Sequence, residues 1–249
     1  MRVVLLGTGG YHPSEERHTA CVMLPEAGIV LDAGTGAFRI QKHLATREID
    51  VFLSHAHLDH VVGLTYLLAP LALKQIDAIC VHATAAVIDA LKQHLFAAAV
   101  FPVMPEFAFV PLTGPSLALG STTIRWQTLP SHPGTSLAYR LETTTGGKSQ
   151  SLAYVTDTTV DGSYTDFVRG VDVLIHECYF PDALEEWATK TGHSTTSKVL
   201  NVAAQAKVGR LVLVHVDPRS TGDDPLGLAS AKAIFPRVEI ARDGMEIQI

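Results

Sequence analysis

Cysteine is scarce. Cys21, Cys80 and Cys178 are odd in number and far apart, so neither a disulfide framework nor a paired-thiolate metal site is suggested, and reducing surroundings suit them. Aromatic residues make up only 7% of the chain, and no apolar run is long enough to cross a bilayer. The longest mainly apolar stretch, Val61 to Leu73, is short and contains Pro70, so no membrane association is expected. Positive charge is also in deficit: 19 Lys and Arg stand against 25 Asp and Glu, a net charge of -6. The basic residues are scattered singly, which argues against a broad nucleic-acid footprint. Before Gly7 there is one basic residue and an apolar run of four, shorter than a secretory core, so a cytoplasmic location is expected. No repeat, low-complexity tract or linker divides the sequence, and one domain over residues 1–249 is expected.

What the chain has is apolar mass, 47% over 249 residues, laid out as short strands that end in Gly-rich loops. Val3-Val4-Leu5-Leu6 stops at Gly7, Gly9 and Gly10, and Gly28 to Asp32 stops at Ala33-Gly34-Thr35-Gly36. Further strands are expected at Val51 to Ser54, Ile124 to Leu129, Leu137 to Glu142, Leu152 to Tyr154, Val171 to His176, Leu211 to Val216, Val238 to Ala241 and Met245 to Ile249. Helical spacing marks Ala37 to Thr46, a start at Asp59 to Leu68, Ala83 to Ala98, Ser194 to Lys207 and Pro225 to Ile234. Two sheets packed face to face with helices outside, an α/β sandwich, would bury all these strands; the pattern alone leaves a single mixed sheet open.

Twelve histidines stand out, and their positions carry the chemistry. Ser54-His55-Ala56-His57-Leu58-Asp59-His60 puts three imidazoles and a carboxylate in six residues directly after an apolar strand. These are zinc-type ligands, and the strand-to-helix turn lets His55 and His57 reach one ion while Asp59 and His60 reach a second. Four ligands cannot complete two ions, so further ones are expected at later strand ends. His132 before Pro133-Gly134, Asp157 after Leu152 to Thr156, and His215 at the close of Leu211 to Val214 have that context.

In this order the residues resemble the metallo-β-lactamase superfamily signature, His-x-His-x-Asp-His followed by His, Asp and His. The resemblance spans nearly the whole chain. It implies a four-layer αββα sandwich with a dinuclear site at one edge: His55, His57 and His132 on one metal, Asp59, His60 and His215 on the other, and Asp157 bridging. Leu6-Gly7-Thr8-Gly9-Gly10, Leu31-Asp32-Ala33-Gly34 and Gly192-His193-Ser194-Thr195 look like the transfer-RNA 3′-processing endonuclease (RNase Z) branch, with His193 as that branch's additional active-site His. His176-Glu177-Cys178-Tyr179 resembles its His-Glu-Ala-Thr loop with the last two positions changed.

Departures bear on substrate. The branch carries an RNA-clamping arm between the third His and the bridging Asp, whereas 24 residues separate His132 from Asp157 here, enough for two strands and a turn. The branch's Pro-x-Lys-x-Arg-Asn loop reads Pro13-Ser14-Glu15-Glu16-Arg17-His18, without its Lys and Asn. Transfer RNA is therefore disfavoured and a smaller anionic ester is expected. The expectation is a phosphodiesterase for small or cyclic phosphodiesters or aryl phosphodiesters that uses two divalent ions (zinc, or manganese or iron) and a bridging hydroxide. Asp59 would orient or deprotonate the water, His193 would donate a proton to the leaving oxygen, and Arg17 and Glu177 would contact substrate or support the site. Alternatives are an RNase Z-like ribonuclease, another ester hydrolase (arylsulfatase, lactonase, thioesterase or β-lactamase), and a non-catalytic metal- or ligand-binding protein. The branch commonly pairs, so the resemblance adds a homodimer to the expectations.

Overall fold

Strand parity sorts the apolar side chains into layers. Val3 and Leu5 face one cluster, which they share with Val173, Ile175, Val212 and Val214, while Val4 and Leu6 face a second and Leu174, Leu211 and Leu213 a third. Strands that are apolar on both faces need cover on both, and this is why they read as unbroken runs rather than as alternation. The computed structural model describes residues 1–249, the side chain of Thr145 excepted. In chain order the strands are β1 (Arg2–Gly7), β2 (Cys21–Leu24), β3 (Ile29–Leu31), β4 (Glu48–Phe52), β5 (Ala78–Ala83), β6 (Ala108–Pro111), β7 (Ser116–Leu119), β8 (Thr122–Leu129), β9 (Ser136–Thr145), β10 (Lys148–Val155), β11 (Val173–Glu177), β12 (Arg210–Val214), β13 (Val238–Ile240) and β14 (Met245–Gln248). They form two seven-stranded sheets, ordered β14-β1-β2-β3-β4-β5-β6 and β13-β12-β11-β10-β9-β8-β7. One core cluster lies between the sheets and one lies on the outer side of each, so the layers run helix, sheet, sheet, helix. This is the expected α/β sandwich, and the single mixed sheet is excluded.

Parallel pairing of β3 to β6 and of β10 to β13 sends several strand ends to the same edge of each sheet. There the Leu137 N–H donates to the Ser54 carbonyl (3.0 Å) and the Tyr139 hydroxyl to the Leu53 carbonyl (2.6 Å), which ties the sheets together. The stretch between His132 and Asp157 is a plain hairpin of β9 and β10. Its turn is Gly146-Gly147 with φ of 59° and 77°, the left-handed pair that a two-residue hairpin turn requires.

The helices are shorter than their spacing predicts. Ala37 to Thr46 becomes the 3-10 turns Thr35–Arg39 and the helix Ile40–His43; Ala83 to Ala98 is the end of β5, the helix Ala85–Ala90 and a wide turn Leu91–Leu95. Pro225 to Ile234 shrinks to Leu228–Ala231, because Gly227 at φ 65° starts it late and both Asp224 oxygens are spent capping Leu228 and Ala229. No helix is long and apolar enough to cross a membrane among the described residues.

One buried polar group makes stability depend on pH. His176, on β11, has its Nδ1 on the Glu177 carbonyl (2.6 Å) and its Nε2 on the Tyr164 hydroxyl (2.7 Å). Nδ1 therefore donates and Nε2 accepts. Burial pushes its pKa down to about 4, from 6.5 in an open chain. As pH falls from 6.5 toward 4 the unfolded chain takes up a proton that the native state refuses, so native stability is lost in that window, by about 3 kcal/mol in full. Urea midpoints measured from pH 7.5 to 4.5 are expected to fall more steeply for wild type than for His176→Gln; equal slopes would refute this.

Candidate metal centre

The chain leaves β4 through Leu53-Ser54 and presents His55 to His60 at the sheet edge, where the helix Leu58–Val61 begins. The turn is clamped from below by the loop after β3. The Ala33 N–H donates to the His60 carbonyl and the Gly63 N–H to the Ala33 carbonyl, both at 2.8 Å. A side chain at Gly34 would strike the Asp59 carbonyl, so backbone meets backbone there. Asp32, wholly buried, is the anchor. Its Oδ1 accepts from the Ser54 N–H (2.7 Å), and its Oδ2 accepts from the Ser54 hydroxyl (2.8 Å), the Tyr154 hydroxyl (2.9 Å) and His60 Nδ1 (2.8 Å).

Around this turn the structure brings together all seven residues that the sequence singles out as ligands. His55, His57, His132 and Asp157 form one group of facing donor atoms, and Asp59, His60 and His215 form another. Asp157 sits between them: its Oδ2 is 3.7 Å from His55 Nε2, 3.6 Å from His132 Nε2 and 3.4 Å from His215 Nε2, and its Oδ1 is 3.2 Å from His60 Nε2. Asp59 Oδ2 lies 3.4 Å from His60 Nε2 and 3.9 Å from His215 Nε2, and accepts from the Tyr11 N–H at 2.8 Å. His57 Nδ1 and His132 Nε2 face each other at 3.2 Å.

Does this donor set fit divalent metal? Donors around a tetrahedral zinc with bonds of about 2.0–2.1 Å stand about 3.4 Å apart, which is the spacing found here. His55 Nε2 and His60 Nε2 are buried and have no hydrogen-bond partner, an expense that proteins seldom leave uncompensated. The opposite ring nitrogens are tied down: His55 Nδ1 to the Ser54 hydroxyl (2.9 Å), His60 Nδ1 to Asp32, and His132 Nδ1 to the Gly192 carbonyl (3.1 Å). Such ties fix the tautomer and aim the free lone pair into the cluster. Burial keeps His55 and His132 below the ordinary imidazole range and His215 down at about 4, so these three are neutral, as ligands must be. His60 differs; burial disfavours its charge, but Asp157, Asp59 and Asp32 outweigh that and raise it. The residues fit.

Backbone strain concentrates at the same place. Of the seven non-glycine residues at positive φ, Tyr11 (61°), Asp32 (56°), Asp157 (46°) and His215 (59°) belong to this site. Each such conformation costs about 1–3 kcal/mol and persists only where the surroundings impose it. Gly10 shows how tightly: a Cβ there would lie 2.5 Å from His215 Cδ2 and Nε2. Gly10→Ala is expected to push the ring aside and weaken divalent-metal affinity by about 10- to 100-fold, read by chelator competition. Unchanged affinity would show that the close approach is incidental.

His193 stands on the cleft side of the cluster. It stacks on Tyr179 with ring centres 4.6 Å apart, and its ring centre is 5.1 Å from that of His132 and 5.4 Å from that of His215. Its Nδ1 donates to Glu177 Oε1 at 3.3 Å. Burial disfavours its charge, yet the Glu177 carboxylate and this hydrogen bond raise its pKa overall. Glu177 itself is fully buried, and its two oxygens also accept from the Thr158, Ser194 and Tyr179 N–H groups. It therefore positions His193 and cannot touch a substrate, which corrects half of its expected role. Arg17 is not brought to the cleft at all: its guanidinium donates to the Thr8 hydroxyl (2.7 Å) and the Ala241 carbonyl (2.6 Å) and lines a separate pocket. The expected anion contact at Arg17 is replaced by a structural one. Asp32 and Tyr154 were not expected as site residues, nor was the Tyr11 N–H.

Relatives are consistent with this geometry. Ribonuclease Z of Methanosarcina acetivorans is 25% identical over 300 aligned positions that take in all of this chain and 98% of the relative. The metallo-beta-lactamase fold protein YhfI from Bacillus subtilis superposes with a TM-score of 0.79 at 22% identity over 99% of each chain. A diphosphatase from the PhnP family superposes with 0.73 at 15% identity over 99% of this chain and 97% of its own. Residues 28–216 match the family described as the beta-lactamase superfamily domain, a stretch that contains all seven clustered candidate ligands, and the chain belongs to that superfamily of metal-dependent hydrolases.

Proposed function

We propose that this hydrolase is a phosphodiesterase for small or cyclic phosphodiesters. The observation that carries the reading is His193, oriented by a buried carboxylate and set beside the cluster of seven candidate ligands on its cleft side. Two divalent ions, held by His55, His57 and His132 and by Asp59, His60 and His215 with Asp157 shared, would supply Lewis acidity toward the ester oxygens and a water of lowered pKa. The chain's own residues do the rest. Asp59, fixed by the Tyr11 N–H, has its other oxygen free to orient that water. His193 keeps Nδ1 on Glu177, so Nε2 is the atom that gives a proton to the departing oxygen. Two relatives favour phosphate esters: one is named a ribonuclease and one a diphosphatase. The plain hairpin between His132 and Asp157 leaves no RNA-clamping arm, and the ribonuclease aligns over more positions than this chain has residues, which favours a small substrate over transfer RNA.

Hydrolysis of bis(p-nitrophenyl) phosphate by metal-replete protein, beside an aryl sulfate, a lactone and a cephalosporin, tests it. Diester turnover well above the other three is expected. Two bound metals per chain with no diester turnover would overturn the reading in favour of another ester class.

A further inference from the structure

The cleft over the cluster encloses about 1120 Å³, and its wall on the His193 side is apolar. Phe180, Leu184 and Trp187 line it from the segment that leads through the helix Glu185–Thr191 and Gly192 to His193. Gly192 ends that helix at φ 78°, and the His193 N–H closes it on the Ala188 carbonyl at 2.8 Å, so the wall and the proposed proton donor are joined through one helix end. Leu184 is 38% exposed and Trp187 55%, in a chain with only two tryptophans. An indole set in the wall of a cleft offers an apolar face that an occupant can cover.

The polar lining limits what that cover can be. Among the described lining residues the one guanidinium or ammonium is Arg219, and it is spent on Asp217, Nε to Oδ1 at 3.0 Å and Nη2 to Oδ2 at 2.7 Å. Just outside that lining, the Lys190 ammonium stands 4.9 Å from the centre of the Trp187 ring, a cation–π contact at the edge of the wall. A flat, uncharged ring would find an indole, a phenyl ring and a leucine.

We infer that the wall formed by Leu184 and Trp187 is the leaving-group subsite, and that the substrate class is an ester whose departing alcohol carries a planar apolar ring. This rests on the proposed function for the side on which the alcohol leaves, because the wall adjoins the residue that protonates it. Position and apolarity point the same way.

The test reads binding separately from turnover. Metal-loaded protein is titrated calorimetrically with methylphosphonate, phenylphosphonate and 4-nitrophenylphosphonate, in wild type, Trp187→Ala and Trp187→Phe. Wild type is expected to bind the aryl compounds about tenfold tighter than the methyl compound, Trp187→Ala to lose that preference, and Trp187→Phe to keep most of it. In a Trp126→Phe background, where Trp187 is the sole tryptophan, 4-nitrophenylphosphonate is expected to quench its fluorescence and methylphosphonate is not. An aryl preference that survives in Trp187→Ala, or is missing from wild type, overturns the subsite. The diesterase reading is judged apart from this, by wild-type turnover of bis(p-nitrophenyl) phosphate, and its failure would leave the ring preference measurable.

Discussion

Asp157→Asn is expected to leave the purified protein with at most one divalent ion per chain, against two in wild type, and to cut ester turnover by about 10³-fold or more. Asp157 is the one side chain whose oxygens face both halves of the cluster: His55, His132 and His215 across Oδ2, and His60 across Oδ1. Its carboxylate would offset the positive charge of two ions brought close together in a buried place. Asparagine keeps the shape and tolerates the left-handed backbone at φ 46°, so the charge is tested rather than the turn. Alanine at this position would add strain to the loss of ligand, and a change in its metal content alone would not separate the two. Metal analysis after dialysis, with near-ultraviolet circular dichroism as a check on folding, reads the result. Two ions retained in a folded Asp157→Asn would remove this residue from the centre.

Much of this candidate site was legible in the sequence because its candidate ligands announce themselves by local context. His55 to His60 are contiguous, and His132, Asp157 and His215 each stand at a strand end beside a turn, which is where side chains converge on a sheet edge. The sandwich was legible for a related reason, since runs such as Val3 to Leu6 are apolar at both parities and demand two covering layers. What stayed hidden depends on residues distant in sequence. Asp32 reads as the polar end of a strand, and only the fold shows four donors meeting its carboxylate, one of them from Tyr154 on the opposite sheet. Arg17 misleads in the opposite direction: its place in the loop that resembles the branch's Pro-x-Lys-x-Arg-Asn suggests an anion contact, but Ala241, from the far end of the chain, takes its guanidinium. The helix Glu185–Thr191 carries Glu185-Glu186-Trp187-Ala188, with no apolar periodicity to reveal it, because its exposed Trp187 and Leu184 just before it face the cleft rather than a core. Residues placed for a ligand break the pattern that core residues obey.

His193→Ala should show the complementary behaviour: full metal content with turnover lower by about 10²- to 10⁴-fold, the range for removing a well-placed general acid. His193 faces Asp157 and His215, but its own Nδ1 is committed to Glu177, so the two proposed ligand groups would remain complete without it. The loss should fall on kcat with little change in KM, since an interaction made only as the leaving oxygen gains charge does not help the ground state. It should also depend on the leaving group. An ester with an acidic phenol needs little help to depart, so p-nitrophenyl diesters should sit at the low end of the range and phenyl diesters at the high end. Glu177→Gln offers an internal comparison: the amide oxygen can still accept from the Thr158 and Ser194 N–H groups, the amide NH2 then faces the Tyr179 N–H, and the charge that raises the His193 pKa is gone, so a smaller loss with the same leaving-group trend is expected. Equal losses for good and poor leaving groups would mean that His193 binds substrate rather than protonating it, and loss of metal in His193→Ala would make it a ligand.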